Sequence, residues 1–196
     1  MKRTFLFALF FLAVTTTAYC DMDNFKIGYT PKYLALSIDD PDGPADDYSG
    51  IQPGGLGLIY NLSREDRVLC DVTRLDFEVD ATTTHIANSV KGYLFSTSYQ
   101  RLYRLNRYIE IWFGAGVLMS KIDFESRYTV TGSGFLDTSY ADRTDNSFGA
   151  CANISNEWAL SDTIDLSLDI AYQHIFGDSV SGLSCGVSLY YKFGGR

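Results

Sequence analysis

The residues of this 196-residue chain that could do chemistry have ionisable side chains. They recur at alternate positions in several segments. Successive side chains of a β-strand point to opposite faces, so alternation places such groups together on one face. If the strands surround a common interior, these polar faces meet there. The residues concerned are Arg74, Asp76, Glu78, Arg104, Glu110, Asp165 and Asp169.

Two kinds of chemistry fit this set. Carboxylates that converge can bind a cation or pass protons, whereas carboxylates that meet arginines form a network of salt bridges. We favour the network, because unpaired buried charge is costly and a small barrel is filled by its own side chains. His85 stands alone in a loop without metal-ligand spacing around it. We therefore predict neither a metal site nor a cofactor.

Residues 163 to 193 show best which elements would position these side chains. In the first half Ile164, Leu166, Leu168, Ile170 and Tyr172 alternate with Asp165, Ser167, Asp169 and Gln173. After a short turn, a second alternating stretch ends with Leu189, Tyr191 and Phe193 near the chain terminus. The pattern predicts a β-hairpin with one apolar and one polar side.

Similar alternation predicts six more strands, near residues 24–38, 55–62, 74–80, 93–103, 109–119 and 148–158. In the first strand the apolar residues after Pro31 are Leu34, Leu36 and Ile38. By alternation they fall on the opposite face from the apolar residues before Pro31. This change predicts a bulge near Pro31.

The third strand has the clearest division into two faces. Its apolar face is formed by Leu75, Phe77 and Val79, and its polar face by Arg74, Asp76, Glu78 and Asp80. In a membrane barrel the apolar face would meet lipid and the polar face the interior.

Two features favour a transmembrane barrel over a soluble sandwich or lipocalin-like barrel, whose apolar faces point inward. Short turns at 63–66, 105–107 and 160–162 alternate with long loops, and aromatic residues on the apolar faces suit interfacial girdles. We predict an all-β fold, an eight-stranded antiparallel up-and-down transmembrane β-barrel after a cleaved signal peptide.

The first 20 residues have the pattern of a secretory signal peptide. The basic start Met1-Lys2-Arg3 precedes an apolar run that is too short to span a bilayer. Cleavage is predicted after Ala18 or Cys20, and we assign residues 21–196 to the barrel domain. Whether Cys20 is acylated or removed stays open, although the bulky Tyr19 before it disfavours acylation. The net charge of −8 argues against a nucleic-acid partner.

Three cysteines follow the leader. Alternation places Cys70 and Cys151 inward at different heights, so we predict no disulfide between them. Cys185 is placed on the lipid face, as a small hydrophobe. The sequence does not determine the redox state of these thiols.

Three segments, 102–117, 156–172 and 186–193, resemble the small outer-membrane β-barrels of the OmpX/Ail-like type. The resemblance implies a monomer in the outer membrane of a Gram-negative bacterium, in contact with outer-membrane lipid and lipopolysaccharide. It also implies that the barrel-assembly machinery reads the last strand. One departure is that Gly194-Gly195-Arg196 follow Phe193, at which such a strand normally ends.

Some barrels of this size are lipid A deacylases, with a catalytic His late in the seventh strand and the pattern His-x-Ser-Asn. His174 has a similar place here. The chain reads His174-Ile175-Phe176-Gly177, and phenylalanine cannot be the nucleophile. We therefore interpret His174 as an interfacial side chain and predict that the protein is not an enzyme.

Function is then expected in the long excursion from residue 121 to 146. Two β-rich arms flank Gly132-Ser133-Gly134, which predicts a ribbon that continues beyond the membrane. Its candidate interaction residues are Tyr128, Phe135 and Tyr140, aromatic anchors for a host or matrix surface ligand. A structural or adhesin-like role is our first hypothesis. The alternatives are a loop that only shields the barrel, a narrow conduit for small or hydrophobic molecules, and a lipid A-modifying enzyme.

Overall fold

The computed structural model describes residues 24–38, 46–83, 86–104, 110–176 and 180–193. The predicted leader, His85, the turn at 105–107 and the segment 194–196 lie outside this part of the chain. The strands are β1 (Phe25–Tyr29), β2 (Lys32–Ile38), β3 (Asp46–Gln52), β4 (Gly55–Asn61), β5 (Asp66–Val79), β6 (Ala87–Arg104), β7 (Glu110–Val130), β8 (Leu136–Ser139), β9 (Arg143–Ala159), β10 (Ile164–Ile175) and β11 (Val180–Lys192).

The strands form one closed antiparallel barrel. Both β1 and β2 pair with β11, so together they make the first barrel strand, and it meets the last. On their other side β1 pairs with β4 and β2 with β3, which together make the second barrel strand. With β5, β6, β7, β9, β10 and β11, the described residues form eight barrel strands, as predicted.

Two prolines mark the breaks in the first two barrel strands, because proline has no N–H to donate to a ladder. Pro31 separates β1 from β2, but the predicted bulge is absent: Thr30 and Lys32 both point inward, and both strands pair with β11 in one register. The phase changes instead at Pro53 and Gly54, since both Gln52 and Gly55 are buried. The predicted phase change was therefore assigned to the wrong strand.

Closure between the last strand and the first two is fixed by Tyr190. Its ring lies across Gly28 of β1 and Gly57 of β4, inside the barrel. A Cβ atom on Gly28 would lie 2.4 Å from Tyr190 Cδ1, and one on Gly57 would lie 2.6 Å from the tyrosine oxygen. Only glycine leaves room for the ring at these two positions, so β11, β1 and β4 are packed together where the barrel closes.

Exposed apolar side chains cover the outer surface between two levels of aromatic residues. The first level includes Tyr103, Trp158 and Tyr191, at the end of the barrel where short turns join the strands; we call it the turn end. The second includes Tyr93 and Phe148, toward the opposite loop end. This band has the pattern of a lipid-facing surface with two interfacial girdles. None of the described residues forms a helix long and apolar enough to cross a membrane.

Beyond the band the outer surface becomes charged. Tyr93 lies directly opposite Arg74 on one side and Lys121 on the other, and Lys91 follows farther out. The charged groups mark the level at which the wall leaves hydrocarbon and enters water or lipid headgroups. The barrel wall therefore continues beyond the membrane.

The interior is apolar in this outer part of the barrel. The side chains that fill it form the loop-end apolar cluster: Leu34, Leu36, Ile38, Tyr48, Leu75, Phe77, Val90, Leu94, Leu118, Ile122, Phe124, Ile175 and Val180. Our outward assignment of Leu34, Leu36, Ile38, Leu75 and Phe77 is therefore wrong. Outside the membrane water surrounds the wall, so apolar side chains turn inward as in a soluble protein.

The wall has an open seam at the same level. Within the described residues no ladder joins β3 to the outer half of β5, although β3 pairs with β2. The side chain of Gln52 crosses this seam: its oxygen accepts from the Asp76 backbone N–H at 2.9 Å, and its nitrogen donates to the Asp76 carbonyl at 3.4 Å. The side-chain amide of Gln52 thus replaces the backbone hydrogen bonds that a paired strand would make with Asp76.

A pair of leucine substitutions tests the position of the membrane band. Leu168 lies on the outer face of β10 and Leu136 in β8, and both side chains are exposed. We expect Leu168→Arg to lower the free energy of unfolding by about 2–4 kcal/mol near the membrane midplane. Leu136→Arg should change it by less than about 0.5 kcal/mol, as at an exposed surface site. The measurement is urea unfolding in lipid vesicles, and equal losses for the two variants would contradict the assignment.

Candidate functional site

Five charged side chains meet inside the barrel at the turn end, and we call them the turn-end network. Lys26 contacts both Glu157 and Asp165, and its distance to the Asp165 carboxylate is 2.7 Å. Arg67 binds Glu157 at 2.5 Å, and Lys192 binds Asp165 at 2.8 Å. The strands β1, β5, β9, β10 and β11 each contribute one member, so the network links strands that are far apart in sequence.

Arg67 is the most enclosed member of the network, with a side chain that is only 1% exposed. Its Nε donates to the side-chain oxygen of Gln100 at 2.6 Å. Its guanidinium lies 4.0 Å from the ring centroid of Trp112, a distance typical of cation–π contact. A charge buried this far is tolerated because each side of the guanidinium has a partner.

Two further carboxylates lie nearer the middle of the barrel. Asp71 binds Lys32 at 2.5 Å and accepts hydrogen bonds from Thr30 at 3.0 Å and Thr73 at 2.9 Å. Asp169 accepts from the hydroxyls of Ser167 at 2.8 Å and Ser188 at 2.7 Å. These bonds replace water around the carboxylates and hold them in place.

The predicted set of ionisable residues is divided by the structure. Asp165 and Asp169 lie inside the barrel. Arg104 and Glu110 point inward by alternation but lie at the exposed rim of the turn end, where they pair with each other at 2.9 Å. The structure therefore does not bring all seven predicted residues into one site.

Arg74, Asp76 and Glu78 lie on the outer surface of β5, so their assignment to the lumen is wrong. Arg74 and Asp76 form an exposed pair with each other at 3.1 Å. The error has the same cause as that for Leu75 and Phe77: in this stretch the polar face meets water outside the barrel.

Sequence reasoning missed most of the charges that the lumen contains. They are Lys26, Lys32, Arg67, Asp71, Glu157 and Lys192. The signal was present in β5, where Arg67, Leu69, Asp71 and Thr73 alternate with Val68, Cys70 and Val72. Following that alternation from the turn end, instead of from Leu75, would have found the inward positions.

The cysteines and His174 do not form a reactive site. Cys70 lies on the outer face, so its inward assignment is wrong, whereas Cys151 is buried inside and Cys185 is exposed; all three are free thiols. His174 is exposed and its ring packs against Phe176, with 5.4 Å between centroids. In the part of the chain that the structure describes, no group of three His, Cys, Asp or Glu residues could hold a metal ion.

The predicted ribbon is present, and we use the name for residues 121–146. β7 continues to Val130, a turn follows with Gly134 at a φ of 83°, and β8 returns along β7 before β9 begins at Arg143. The tip exposes two large apolar side chains: Phe135 is 73% exposed and Leu136 is 66% exposed. The ribbon therefore presents hydrophobic side chains away from the membrane band.

Of the three predicted anchors, Phe135 is the most exposed. Tyr128 is partly exposed on β7. Tyr140 is partly buried, and its ring lies 5.6 Å from the guanidinium of Arg127. Part of the tyrosine surface is therefore covered by a contact within the ribbon.

Several contacts hold the base of the ribbon in one geometry. Ser126 has a φ of 56°, and the Asp142 carboxylate accepts from its backbone N–H at 3.2 Å. The buried side chain of Arg127 donates to the carbonyl of Ala141 at 2.9 Å. A non-glycine residue keeps a left-handed backbone only where its surroundings hold it there. The bend at the base is thus determined by specific bonds.

No protein-family profile and no curated protein sequence matches the chain. Solved structures do match. The crystal structure of Neisserial surface protein A has a TM-score of 0.59 and 14% identity, covering 87% of this chain and 97% of that one. Outer membrane protein OprG from Pseudomonas aeruginosa has a TM-score of 0.52 and 14% identity, covering 86% of this chain and 95% of that one. Ail, the attachment invasion locus protein of Yersinia pestis, has a TM-score of 0.51 and 13% identity, covering 87% of this chain and 99% of that one.

Substitution of Arg67 tests the turn-end network. We expect Arg67→Met to lower the free energy of unfolding by about 3–5 kcal/mol, because it removes the buried one of the two cations that pair with the largely enclosed Glu157. Arg74→Met breaks an exposed pair and should cost at most about 1 kcal/mol. Urea unfolding in vesicles measures both. A larger loss for Arg74→Met would show that the lumen assignment is inverted.

Proposed function

We propose that this chain, which has the fold of the small outer-membrane β-barrels of the OmpX/Ail type, is a surface-interaction protein of a Gram-negative bacterium. Its ribbon would contact a partner outside the cell, as an adhesin does. The observation that carries the proposal is the exposed apolar tip on a ribbon whose base is fixed by hydrogen bonds. We further propose that the chain works as a monomer and is not an enzyme.

The tip combines two properties of binding surfaces. Phe135 and Leu136 are large apolar side chains exposed beyond the membrane band, where hydrocarbon cannot cover them. Apolar and aromatic anchors of this kind supply much of the binding energy of protein interfaces. In addition, β8 pairs only with β7 within the described residues, so its second edge can accept a strand from a partner.

Rigid support favours binding through this surface. In addition to the bonds of Ser126 and Arg127, the Val130 backbone N–H donates to the carbonyl of Thr82, in the loop between β5 and β6, at 3.4 Å. A surface that is already ordered loses less conformational entropy when a partner binds. One neighbour of similar fold, Ail of Yersinia pestis, is an attachment invasion locus protein, which is in keeping with an adhesive role.

Lipopolysaccharide and the barrel-assembly machinery are further proposed partners. Arg74, Lys91 and Lys121 lie on the outer surface at the level where the wall leaves the membrane band. Guanidinium and ammonium groups at that level suit the phosphates of an anionic lipid. At the turn end, Tyr191 packs edge-on against Phe193 with 5.2 Å between centroids, which leaves an ordered aromatic end for the machinery to read.

A conduit is less well supported, because side chains fill the lumen at two levels. The turn-end network occupies one end and the loop-end apolar cluster the other. A water-filled pore needs a wider barrel than eight strands usually give.

Shortening the ribbon tests the proposed function. Replacing 129–138 with a short Gly/Ser turn removes the tip but leaves every ladder of the barrel wall. We expect unchanged heat-modifiability on detergent gels and loss of binding to epithelial monolayers and matrix-coated surfaces, at equal surface expression. Phe135→Ser with Leu136→Ser should reduce binding at least tenfold, since anchor residues carry at least about 2 kcal/mol.

The matched control lies in the same strand. Asp137→Ser with Thr138→Ser changes two exposed polar residues of β8 and should leave binding within about twofold. If adherence is unchanged when the tip is removed, the ribbon has no binding role and a purely structural barrel is favoured.

Conductance separates the conduit from the surface-interaction role. In planar bilayers we expect no discrete channel steps from the purified barrel, because both levels of the lumen are filled. Stable steps in the intact protein, seen equally after the tip is removed, would favour the conduit.

A further inference from the structure

A small polar cavity lies in the middle of the barrel, between the turn-end network and the loop-end apolar cluster. Its wall includes the polar side chains of Lys32, Asp71, Asn153, Asp169, Gln173 and Ser184, and these six residues come from five strands. About 20 Å³ of the cavity is open to the centre of a water molecule. The smallest cavity that holds a water has about the volume of the molecule itself, roughly 10–15 Å³, and the water needs two to four polar partners. The cavity therefore has room for at least one water molecule.

One polar atom in the wall has no protein partner. Gln173 is only 5% exposed, and its side-chain oxygen accepts no hydrogen bond within the described residues. A buried amide oxygen left without a donor costs about 1–3 kcal/mol. The arrangement of the wall therefore calls for a donor inside the cavity.

The other groups in the wall identify the kind of ligand. Lys32 gives one hydrogen bond to Asp71 at 2.5 Å, and an ammonium group has three donors. Asp169 accepts one bond each from Ser167 and Ser188, and a carboxylate has about four acceptor sites. A ligand between them must donate to Gln173 and Asp169 and accept from Lys32.

We propose that this cavity is a binding site for a resident water molecule, which donates to the Gln173 side chain and links it to Lys32 and Asp169. Water both donates and accepts, and it is neutral. A metal cation would satisfy the oxygens but would lie beside the ammonium of Lys32, which repels it.

The surroundings should hold this water for a long time. Toward the loop end lie the buried side chains of the apolar cluster, including Leu34, Leu94 and Leu118. Toward the turn end lie Arg67 and its partners. These layers lie between the cavity and the two ends of the barrel, so we expect exchange with solvent to be slow compared with exchange from the surface.

Nuclear magnetic resonance of the folded barrel in detergent micelles tests the proposal. We expect cross-peaks between water and the amide protons of Asn153 and Gln173, with the sign that marks a residence time longer than the tumbling time. Ala171 also lines the cavity, and Ala171→Leu should fill the space and abolish the cross-peaks. Gln173→Leu has a side chain of similar volume, removes the amide oxygen to which the water donates and should also abolish them.

The control and the alternative ligand complete the experiment. His174→Leu changes the neighbouring outward-facing residue and should leave the cross-peaks intact. Absence of cross-peaks in the unaltered protein would overturn the proposal by showing a dry cavity, even if Ala171→Leu does not fold. Cross-peaks that persist in folded Ala171→Leu would also overturn it. An anomalous peak in the cavity of crystals soaked in rubidium chloride would assign the site to a cation instead.

Discussion

The structure depends on one constraint, that a backbone inside hydrocarbon must satisfy every N–H and C=O from within the protein. Here the constraint is met by the pairing of the first barrel strand with the last, through β1 with β11 and β2 with β11, and with the second, through β1 with β4. Tyr190, lying across Gly28 and Gly57, packs these three strands against one another. Closure by ladders is complete in the part of the wall that faces lipid.

The same constraint explains where the wall is allowed to open. The seam between β3 and the outer half of β5 lies at the level where outward side chains become charged, and side chains bridge it: Gln52 bonds the backbone of Asp76, and Tyr48 packs on Phe77. Water can hydrate an unpaired backbone there, so an incomplete ladder costs little. The seam and the ribbon are therefore both found beyond the membrane band.

The interior changes its character at that level too. Within the membrane band the outside is apolar and the inside carries Lys26, Arg67 and their carboxylates; beyond it the outside is charged and the inside is apolar. In each part the surrounding solvent determines which side chains face outward: apolar ones where the wall meets lipid, and charged ones where it meets water. The filled interior supports a role at the outer surface, and the continuous strands β7 and β9 provide the support for the ribbon.

Alternation along the chain determined the all-β class, the eight barrel strands, the outward face of β10 and β11, and the ribbon around Gly134. These features are local, because a period of two assigns side chains to faces without reference to a partner strand. Alternation could not decide which face is the inside. Arg74, Asp76 and Glu78 have the same pattern as lumen residues, and Leu34 and Leu75 the same pattern as lipid-facing ones. Only the tertiary structure decided these positions, because strand pairing sets the height of each residue relative to the membrane, and the surrounding solvent then determines which face turns outward.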